Sequence, residues 1–134
     1  MHRVTREISF CYGHRLLQYD GKCRHLHGHN GKAVITLEAA QLDDLGMVMD
    51  FTGLKRVVGG WIDEALDHKM LLHKDDPALP HLRALDEPVF VMDANPTAED
   101  IARLIYDYTA KQGFPVVEVQ LWETATCRAS YRRA

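Results

Sequence analysis

Val4-Thr5-Arg6-Glu7-Ile8-Ser9-Phe10 alternates apolar and polar residues, with Arg6 as the one exception in the apolar row. A period of two residues is typical of an extended strand that buries one face. The stretch 32–40 alternates in the same way, with apolar residues at every odd position from 33 to 39. We therefore predict two strands, joined by a long loop, that pair as a hairpin.

Two helices are predicted further along the chain. Apolar residues within 51–65 recur mostly at three- and four-residue spacings, which place them on one face of a helix. Gly59-Gly60 lies inside this helix, at a cost of about 1 kcal/mol for each glycine relative to alanine. The second helix begins after Thr97, which caps it, and acidic residues in its first turn face the positive end of the helix dipole. Gly113 ends this helix.

The remaining predicted strands are short and lie at 89–92, 117–121 and 128–132. The stretch 71–88 carries three prolines and no sustained periodicity, so it is predicted to be a loop. The order is thus two strands, a helix, a strand, a helix and two strands. This order favours an α+β fold of one domain, residues 1–134, with an antiparallel sheet covered by helices on one face.

Composition excludes several classes of function. The 134 residues include 16 Lys and Arg against 19 Asp and Glu, so the basic excess typical of nucleic-acid-binding proteins is missing. No apolar run approaches the roughly 20 residues of a membrane span, and the N-terminus lacks the apolar segment of a secretory signal. The three cysteines cannot all pair. We expect a cytoplasmic protein that binds neither nucleic acid nor membrane.

The eight histidines are the unusual feature of the composition, and several fall in Cys23-Arg24-His25-Leu26-His27-Gly28-His29. In an extended chain His27 and His29 point to the same side, as two ligands of one metal must. A catalytic zinc typically takes three protein ligands and keeps one position open. His25 shares the parity of the other two, whereas His14 ends the first strand and would arrive from a neighbouring strand. Spacing leaves both open as the third ligand.

Two further positions carry ionisable side chains that are suited to a functional role. Asp67-His68 follows the first helix, and a carboxylate beside an imidazole is how a general acid or base is oriented. Taken alone, this dipeptide is more typical of a solvated helix end. Glu123 follows an apolar strand and, taken alone, is equally typical of an exposed strand end.

Six short motifs occur in order between residues 10 and 124, and each is weakly specific by itself. They are Phe10-x-x-x-His14, Cys23 with His27-Gly28-His29, Gly46-Met47-Val48-Met49-Asp50-Phe51, Leu66-Asp67-His68, Asn95-Pro96-Thr97-Ala98-Glu99 and Trp122-Glu123-Thr124. As an ordered set they resemble the pyruvoyl-tetrahydropterin synthase family. The three-residue gap between Cys23 and His27 is similar to that of its bacterial carboxytetrahydropterin synthase branch.

The resemblance implies the tunnelling fold, in which a four-stranded antiparallel sheet carries two helices on one face. It also implies assembly into a barrel-like homo-oligomer, commonly a hexamer of two trimers. The implied cofactor is zinc, held by His14, His27 and His29, so His25 is not a ligand. The implied substrate is 7,8-dihydroneopterin triphosphate, converted to 6-carboxy-5,6,7,8-tetrahydropterin, acetaldehyde and triphosphate for queuosine and deazapurine synthesis.

The resemblance also implies roles for the remaining candidate residues. Cys23 would be the thiolate base, and His68, oriented by Asp67, its acid-base partner. Glu123 would anchor the pterin ring by accepting two hydrogen bonds, with Thr97 close to the ring. Because the family builds this site at a subunit interface, Cys23 and the Asp67-His68 pair can come from different chains, and monomers are expected to be inactive.

The chain departs from the family pattern before the first metal-ligand position. Many relatives carry Ala-Ala there, whereas this chain carries Tyr12-Gly13, which is expected to narrow the pocket or change its polarity. Two alternatives to the carboxypterin synthase therefore stay open. One is a 6-pyruvoyl-tetrahydropterin synthase, and the other is a pterin-binding protein without turnover. Cys11 and Cys127 receive no role.

Overall fold

The fold is built on a six-stranded mixed sheet. A computed structural model describes all residues from 1 to 134. The strands are β1 (His2–His14), β2 (His27–Ala39), β3 (Met70–His73), β4 (Val89–Met92), β5 (Val116–Trp122) and β6 (Arg128–Tyr131). Their order across the sheet is β4-β3-β1-β2-β5-β6. Neighbours pair antiparallel from β1 through β2 and β5 to β6, whereas β3 runs parallel to both β1 and β4.

The predicted first helix is a continuous helical segment in three parts. These are α1 (Phe51–Leu54), a π-helical turn (Lys55–Gly59) and α2 (Gly60–Ala65). The backbone N–H of Thr52 donates to the side chain of Asp50 at 2.8 Å, which caps α1. The extent of this helix agrees with the prediction, but the sequence pattern did not indicate the π-helical turn before Gly60.

Two more helices complete the fold, α3 (Leu79–Ala84) and α4 (Ala98–Lys111). Thr97 caps α4 as predicted, because its hydroxyl accepts a hydrogen bond from the backbone N–H of Asp100 at 3.1 Å. Gly113 lies just past the end of α4 with φ at +91°, a conformation that favours glycine. No helix of the chain combines the length and the apolar character needed to cross a lipid bilayer.

The sheet is larger than predicted. The expected four antiparallel strands are present as β1, β2, β5 and β6, but β3 and β4 extend the sheet from β1 as parallel strands. The prediction of a loop over residues 71–88 is wrong, since this stretch contains most of β3 and all of α3. β3 is four residues long and its Leu71 and Leu72 are both fully buried, so it shows no alternation that the sequence could reveal.

The hairpin of β1 and β2 is longer than predicted, with thirteen residues in each strand. Its register runs without interruption from His2 opposite Ala39 to His14 opposite His27. The alternation of apolar and polar residues covers only 4–10 and 32–40, because glycines and histidines interrupt it towards His14 and from His27 onwards. This extension places histidines from both strands side by side at the end of the hairpin.

The core lies between one face of the sheet and the helices. From β1 the even-numbered side chains Ile8, Phe10 and Tyr12 enter it, and the odd-numbered ones lie on the opposite face. Buried residues of the helical segment 51–65 and of α4 belong to the same cluster, so both predicted helices cover one face of the sheet. The row of buried side chains on β1 ends at His14, which is 2% exposed.

Candidate metal centre and acid-base site

Three histidines meet at the end of the hairpin, on the face covered by helices. His14 lies opposite His27 across the two strands, and His29 lies two residues further along β2 on the same face. One ring nitrogen from each lies within 4.8 Å of those of the other two. The ring centroids are 4.5 Å (His14–His27), 5.1 Å (His14–His29) and 5.2 Å (His27–His29) apart. The structure thus brings His14 together with His27 and His29, whereas the other candidate, His25, is not part of the cluster.

Backbone carbonyls orient two of these rings. Nδ1 of His14 donates to the carbonyl of Pro96 at 2.6 Å, and Nδ1 of His27 donates to the carbonyl of His25 at 2.7 Å. A carbonyl only accepts, so in the neutral rings the hydrogen is on Nδ1 and the lone pair is on Nε2. Both Nε2 atoms are buried without a hydrogen-bond partner. Buried lone pairs that lie close together and lack a donor fit a metal ion.

The protonation of His14 agrees with this interpretation. Burial lowers the pKa of His14, and the opposing effects of the Pro96 carbonyl and of Glu123 do not reverse the shift. The ring is therefore neutral near pH 7, which is the form that binds a metal. Three imidazoles with an open side form a donor set typical of a catalytic divalent metal.

Glu123 borders the three histidines. It follows β5, which pairs with β2, and its backbone N–H donates to the carbonyl of Cys127 at 3.0 Å. One carboxylate oxygen lies 3.8 Å from Nε2 of His14, and the other lies 4.0 Å from Nε2 of His29. A carboxylate therefore lies beside the Nε2 atoms of the cluster, where it can accept hydrogen bonds from a bound molecule.

The segment before α4 supports the cluster from the side of the helices. The hydroxyl of Thr97 is engaged as the helix cap, and the preceding Pro96 supplies the carbonyl that orients His14. Asn95 accepts from the backbone N–H of Leu17 at 2.8 Å and donates to its carbonyl at 3.0 Å. The Asn-Pro-Thr motif thus ties the start of α4 to the chain just past His14. Sequence reasoning assigned neither Asn95 nor Pro96 a role.

Tyr12 forms an apolar wall of the cluster. It is 3% exposed, and its ring centroid lies 5.2 Å from that of His14 and 5.7 Å from that of His29. Its hydroxyl is buried without a hydrogen-bond partner. Burial is the main cause that raises the pKa of Tyr12, and the nearby carboxylate of Glu123 adds to it. The phenol therefore stays protonated and keeps an unused donor beside Glu123.

Asp67 and His68 form a hydrogen-bonded pair on the opposite face of β1. Oδ2 of Asp67 lies 2.8 Å from Nδ1 of His68, whose side chain is 77% exposed. Oδ1 of Asp67 accepts from the backbone N–H of Cys11 at 2.9 Å. Burial acts to raise the pKa of Asp67, but the hydrogen bonds from Cys11 and His68 outweigh it, and the pKa lies below its usual value. The carboxylate is thus ionised and able to orient the imidazole.

The thiol that lies against His68 is Cys11. Its Sγ is 3.5 Å from Nε2 of His68, and the backbone N–H of His68 donates to the carbonyl of Cys11 at 2.7 Å. Cys23, the predicted base, lies in a short 3-10 helical turn, Lys22–Arg24, where its carbonyl accepts from the backbone N–H of Leu16 at 2.8 Å. No hydrogen bond joins Cys23 to Asp67 or His68 within the chain. Sequence reasoning missed Cys11 because its contact with His68 depends on the pairing of β3 with β1.

A cavity of about 620 Å³ lies beside this end of β1. Its lining includes His68 with the neighbouring Cys11, and two of the clustered histidines, His27 and His29, with the neighbouring Tyr12. The volume is within the range of small-molecule sites, about 300–1,000 Å³. One concave surface therefore borders residues of both groups.

Comparisons with known proteins agree on one family. The family model described as 6-pyruvoyl tetrahydropterin synthase matches residues 3–134. A 6-carboxy-5,6,7,8-tetrahydropterin synthase of Rickettsia conorii is 37% identical over 134 residues, which covers 95% of this chain and 97% of that protein. A protein of the same name from Aquifex aeolicus is 36% identical over 149 residues, which covers 98% of this chain and 90% of that protein.

Solved structures show the same fold. An uncharacterized protein from Wolinella succinogenes superposes with a TM-score of 0.82 at 30% identity, covering 99% of this chain and 98% of that one. The 6-pyruvoyl tetrahydropterin synthase of Caenorhabditis elegans gives a TM-score of 0.75 at 22% identity, with coverage of 99% and 96%. At that identity the second likeness concerns the fold alone. On the match of residues 3–134 and the identity to the bacterial relatives, the chain belongs to the 6-pyruvoyl tetrahydropterin synthase family.

Proposed function

We propose that the protein is a zinc-dependent 6-carboxy-5,6,7,8-tetrahydropterin synthase. With one water it converts 7,8-dihydroneopterin triphosphate to the carboxypterin, acetaldehyde and triphosphate, and the product enters queuosine and deazapurine synthesis. The observation that carries the proposal is the cluster of three histidines, two of them with buried Nε2 lone pairs, beside the carboxylate of Glu123. The bacterial relatives that bear this name support the choice within the family.

His14, His27 and His29 would hold the zinc. When bound, the metal supplies a positive charge next to the substrate's hydroxyls, which makes the adjacent carbon-bound protons easier to remove. The protein contributes the orientation of the ligands, since the Pro96 and His25 carbonyls hold two of the rings with Nε2 towards the cluster. Such outer hydrogen bonds are worth about 10- to 100-fold in metal affinity or activity.

Glu123 binds the pterin ring in this proposal. A carboxylate accepts two parallel hydrogen bonds, which suits the exocyclic amine and the adjacent ring N–H of a pterin. Its two oxygens lie 3.8 and 4.0 Å from Nε2 of His14 and His29, so a ring held by Glu123 lies next to the metal. Thr97 is near the ring by its position after Pro96, although its hydroxyl already caps α4.

Proton transfer is assigned to His68 and Cys23. Asp67 accepts from Nδ1 of His68, so Nε2 is the atom that takes or gives a proton. Cys23 is the thiolate base of the proposal, and it makes no hydrogen bond to the Asp67-His68 pair of its own chain. We therefore assign the two groups to different chains of a homo-oligomer, a hexamer by family likeness, in which the active site is completed between cytoplasmic subunits.

A product assay tests the proposal. Purified protein is loaded with zinc and mixed with 7,8-dihydroneopterin triphosphate, and the metal content is measured on the same sample. We expect 6-carboxy-5,6,7,8-tetrahydropterin and acetaldehyde in equal amounts. Absence of both from a zinc-loaded sample contradicts the proposal, and a pyruvoyl product without acetaldehyde assigns the protein to the other activity of the family.

The second candidate is a pterin-binding protein without turnover. It is favoured by Tyr12, whose ring lines the metal cluster where many relatives carry alanine. In that case the wild type forms no product, and pterin affinity, measured by fluorescence titration, is the same in Cys23→Ala. The proposed enzyme forms product and loses turnover in the same variant.

A further inference from the structure

We propose that Cys11 is a positioning residue that holds His68 ready for proton transfer. The proposal rests on the function proposed above and adds a residue that the resemblance leaves without a role. Cys11 contacts the Asp67-His68 pair through three separate groups, namely its backbone N–H, its carbonyl and its thiol. No other side chain except Asp67 forms a hydrogen bond with the imidazole of His68.

The backbone of His68 needs outside support. Its φ is +59°, in the left-handed region that non-glycine residues seldom adopt. Such a conformation persists when the surroundings determine it, and it concentrates at functional sites. The carbonyl of Cys11 accepts from the backbone N–H of His68 at 2.7 Å, and the backbone N–H of Cys11 holds Oδ1 of Asp67 at 2.9 Å. The backbone of Cys11 therefore fixes the dipeptide, whatever its side chain is.

The thiol of Cys11 acts on the ring of His68. Because Nδ1 faces the carboxylate of Asp67, the neutral ring carries its hydrogen on Nδ1 and its lone pair on Nε2. The Cys11 thiol lies 3.5 Å from Nε2 and can donate its S–H there. Within its own chain the side chain of His68 is 77% exposed, so little packing there restrains it, and these two hydrogen bonds set its rotation before a second chain completes the site. The thiol thus holds the resting ring with Nε2 at the wall of the cavity, and its S–H turns away to free the lone pair when Nε2 takes a proton.

Side-chain substitutions separate this role from the backbone contacts. Cys11→Ala removes the S–H donor and leaves the N–H and the carbonyl, whereas Cys11→Ser restores a donor. Loss of one hydrogen bond, about 0.5–1.5 kcal/mol, corresponds to about a two- to tenfold fall in kcat. We expect this fall in kcat in Cys11→Ala, together with a shifted pH profile of kcat, while KM and zinc content stay as in the wild type. In Cys11→Ser we expect kcat and its pH profile to return towards the wild-type values. Cys127→Ala is the matched control and should behave as wild type, because the thiol is exposed and the variant keeps the backbone carbonyl that accepts from Glu123.

A second readout does not depend on turnover. In ¹H–¹⁵N spectra of the imidazole side chains, the wild type and Cys11→Ser should show one sharp His68 signal with the hydrogen on Nδ1. Cys11→Ala should show a broadened or shifted signal from a ring that turns.

The outcomes of these experiments are distinct. Unchanged kcat and an unchanged His68 signal in Cys11→Ala overturn the proposal. An equal loss of kcat in the alanine and serine variants, with a lower thermal midpoint in both, also overturns it, because the thiol would then serve packing alone. If the wild type forms no product, the proposed function fails, whereas the spectra still decide whether Cys11 holds His68.

Discussion

The two faces of β1 carry two different kinds of site. On the core face His14 is 2% exposed, and the histidine cluster that contains it is assembled from one chain. On the other face the side chain of His68 is 77% exposed and is held by hydrogen bonds to Asp67 and Cys11, without Cys23. The comparison shows that a cluster of buried imidazoles assembled from one chain lies on one side of β1, and that His68, which is proposed to need a further group, lies exposed on the other. Substitutions on the core face should therefore affect folding and metal binding, and those on the other face turnover alone.

The largest effect is expected on the core face. His14→Ala removes one of three clustered imidazoles and leaves the Pro96 carbonyl without its donor. We expect metal content near zero and activity reduced more than about 100-fold, beyond the effect of losing an outer hydrogen bond. Metal analysis and the product assay on the same samples check this. His81→Ala, at an exposed histidine of α3, is the control, and full metal content in His14→Ala would remove His14 from the ligand set.

The next effect is expected on the exposed face. His68→Ala removes the proposed acid-base group, which is worth about 10²- to 10⁴-fold in rate. Because the side chain is exposed, the free energy of unfolding should change by no more than about 0.5 kcal/mol, and the metal content should stay as in the wild type. Kinetics and denaturant unfolding measure the two quantities. A variant that loses metal or unfolds early would contradict the separation of the two faces.

Different parts of the molecule can also be compared through the pH dependence of stability, with Asp76 and Asp67 as the carboxylates to substitute. The pKa of Asp76 lies below its usual value, chiefly because the guanidinium of Arg15 donates to it at 2.7 Å, against the effect of burial. A carboxyl with a lower pKa in the folded than in the unfolded state stabilises the protein above about pH 4 and loses this contribution as the pH falls through the folded pKa.

Asp76→Asn should therefore lower the free energy of unfolding at pH 7 by about 1.5–3 kcal/mol, the value of hydrogen bonds to charged groups. The difference from the wild type should shrink below pH 4, as measured by urea unfolding at several pH values. Asp67→Asn, at the exposed pair, should lower kcat and change the stability far less. Equal stability losses in the two variants would contradict the assignment of structural and catalytic carboxylates to different parts of the molecule.

The smallest effect concerns a single hydroxyl. Tyr12→Phe removes a buried donor that has no acceptor within 3.5 Å and only the carboxylate of Glu123 nearby, so we expect stability equal to the wild type or higher by up to about 1 kcal/mol. Tyr106→Phe is the matched control, because its buried hydroxyl donates to the carbonyl of Val116 at 3.1 Å. That variant should be less stable by about 1 kcal/mol. Thermal unfolding of the metal-loaded proteins checks the opposite signs, and a clear loss in Tyr12→Phe would indicate that the phenol has a partner.

Local patterns in the sequence accounted for the elements with strong local signals. The alternation at 4–10 predicted β1, and the cap at Thr97 placed the start of α4 at the observed residue. β3 and α3 were missed because they are four and six residues long and carry no period. The alternating pattern stops short of the strand ends at His14 and His27 for a different reason, since the glycines and histidines there do not alternate with apolar side chains.

The residues of the candidate site also divide into those that local spacing predicts and those that depend on long-range pairing. Parity along one strand was enough to place His27 and His29 on one side, and the structure agrees. Parity left His14 and His25 undecided, because the choice depends on the register between two strands, which is a long-range property. The contact of Cys11 with His68 had no local signal at all, since it joins residues 57 positions apart through the hairpin edge and β3.

The ring of Tyr12 lies over Gly31 of the neighbouring strand, where an added Cβ would come within 2.8 Å of the ring carbon Cε1. We therefore expect the two positions to change together. A chain with an aromatic ring at position 12 should keep glycine at position 31, and one with a small residue at 12 should accept a larger side chain there. Replacements at these positions should be inherited together, so homologues with a small residue at 12 are the place to look for the compensating change on β2.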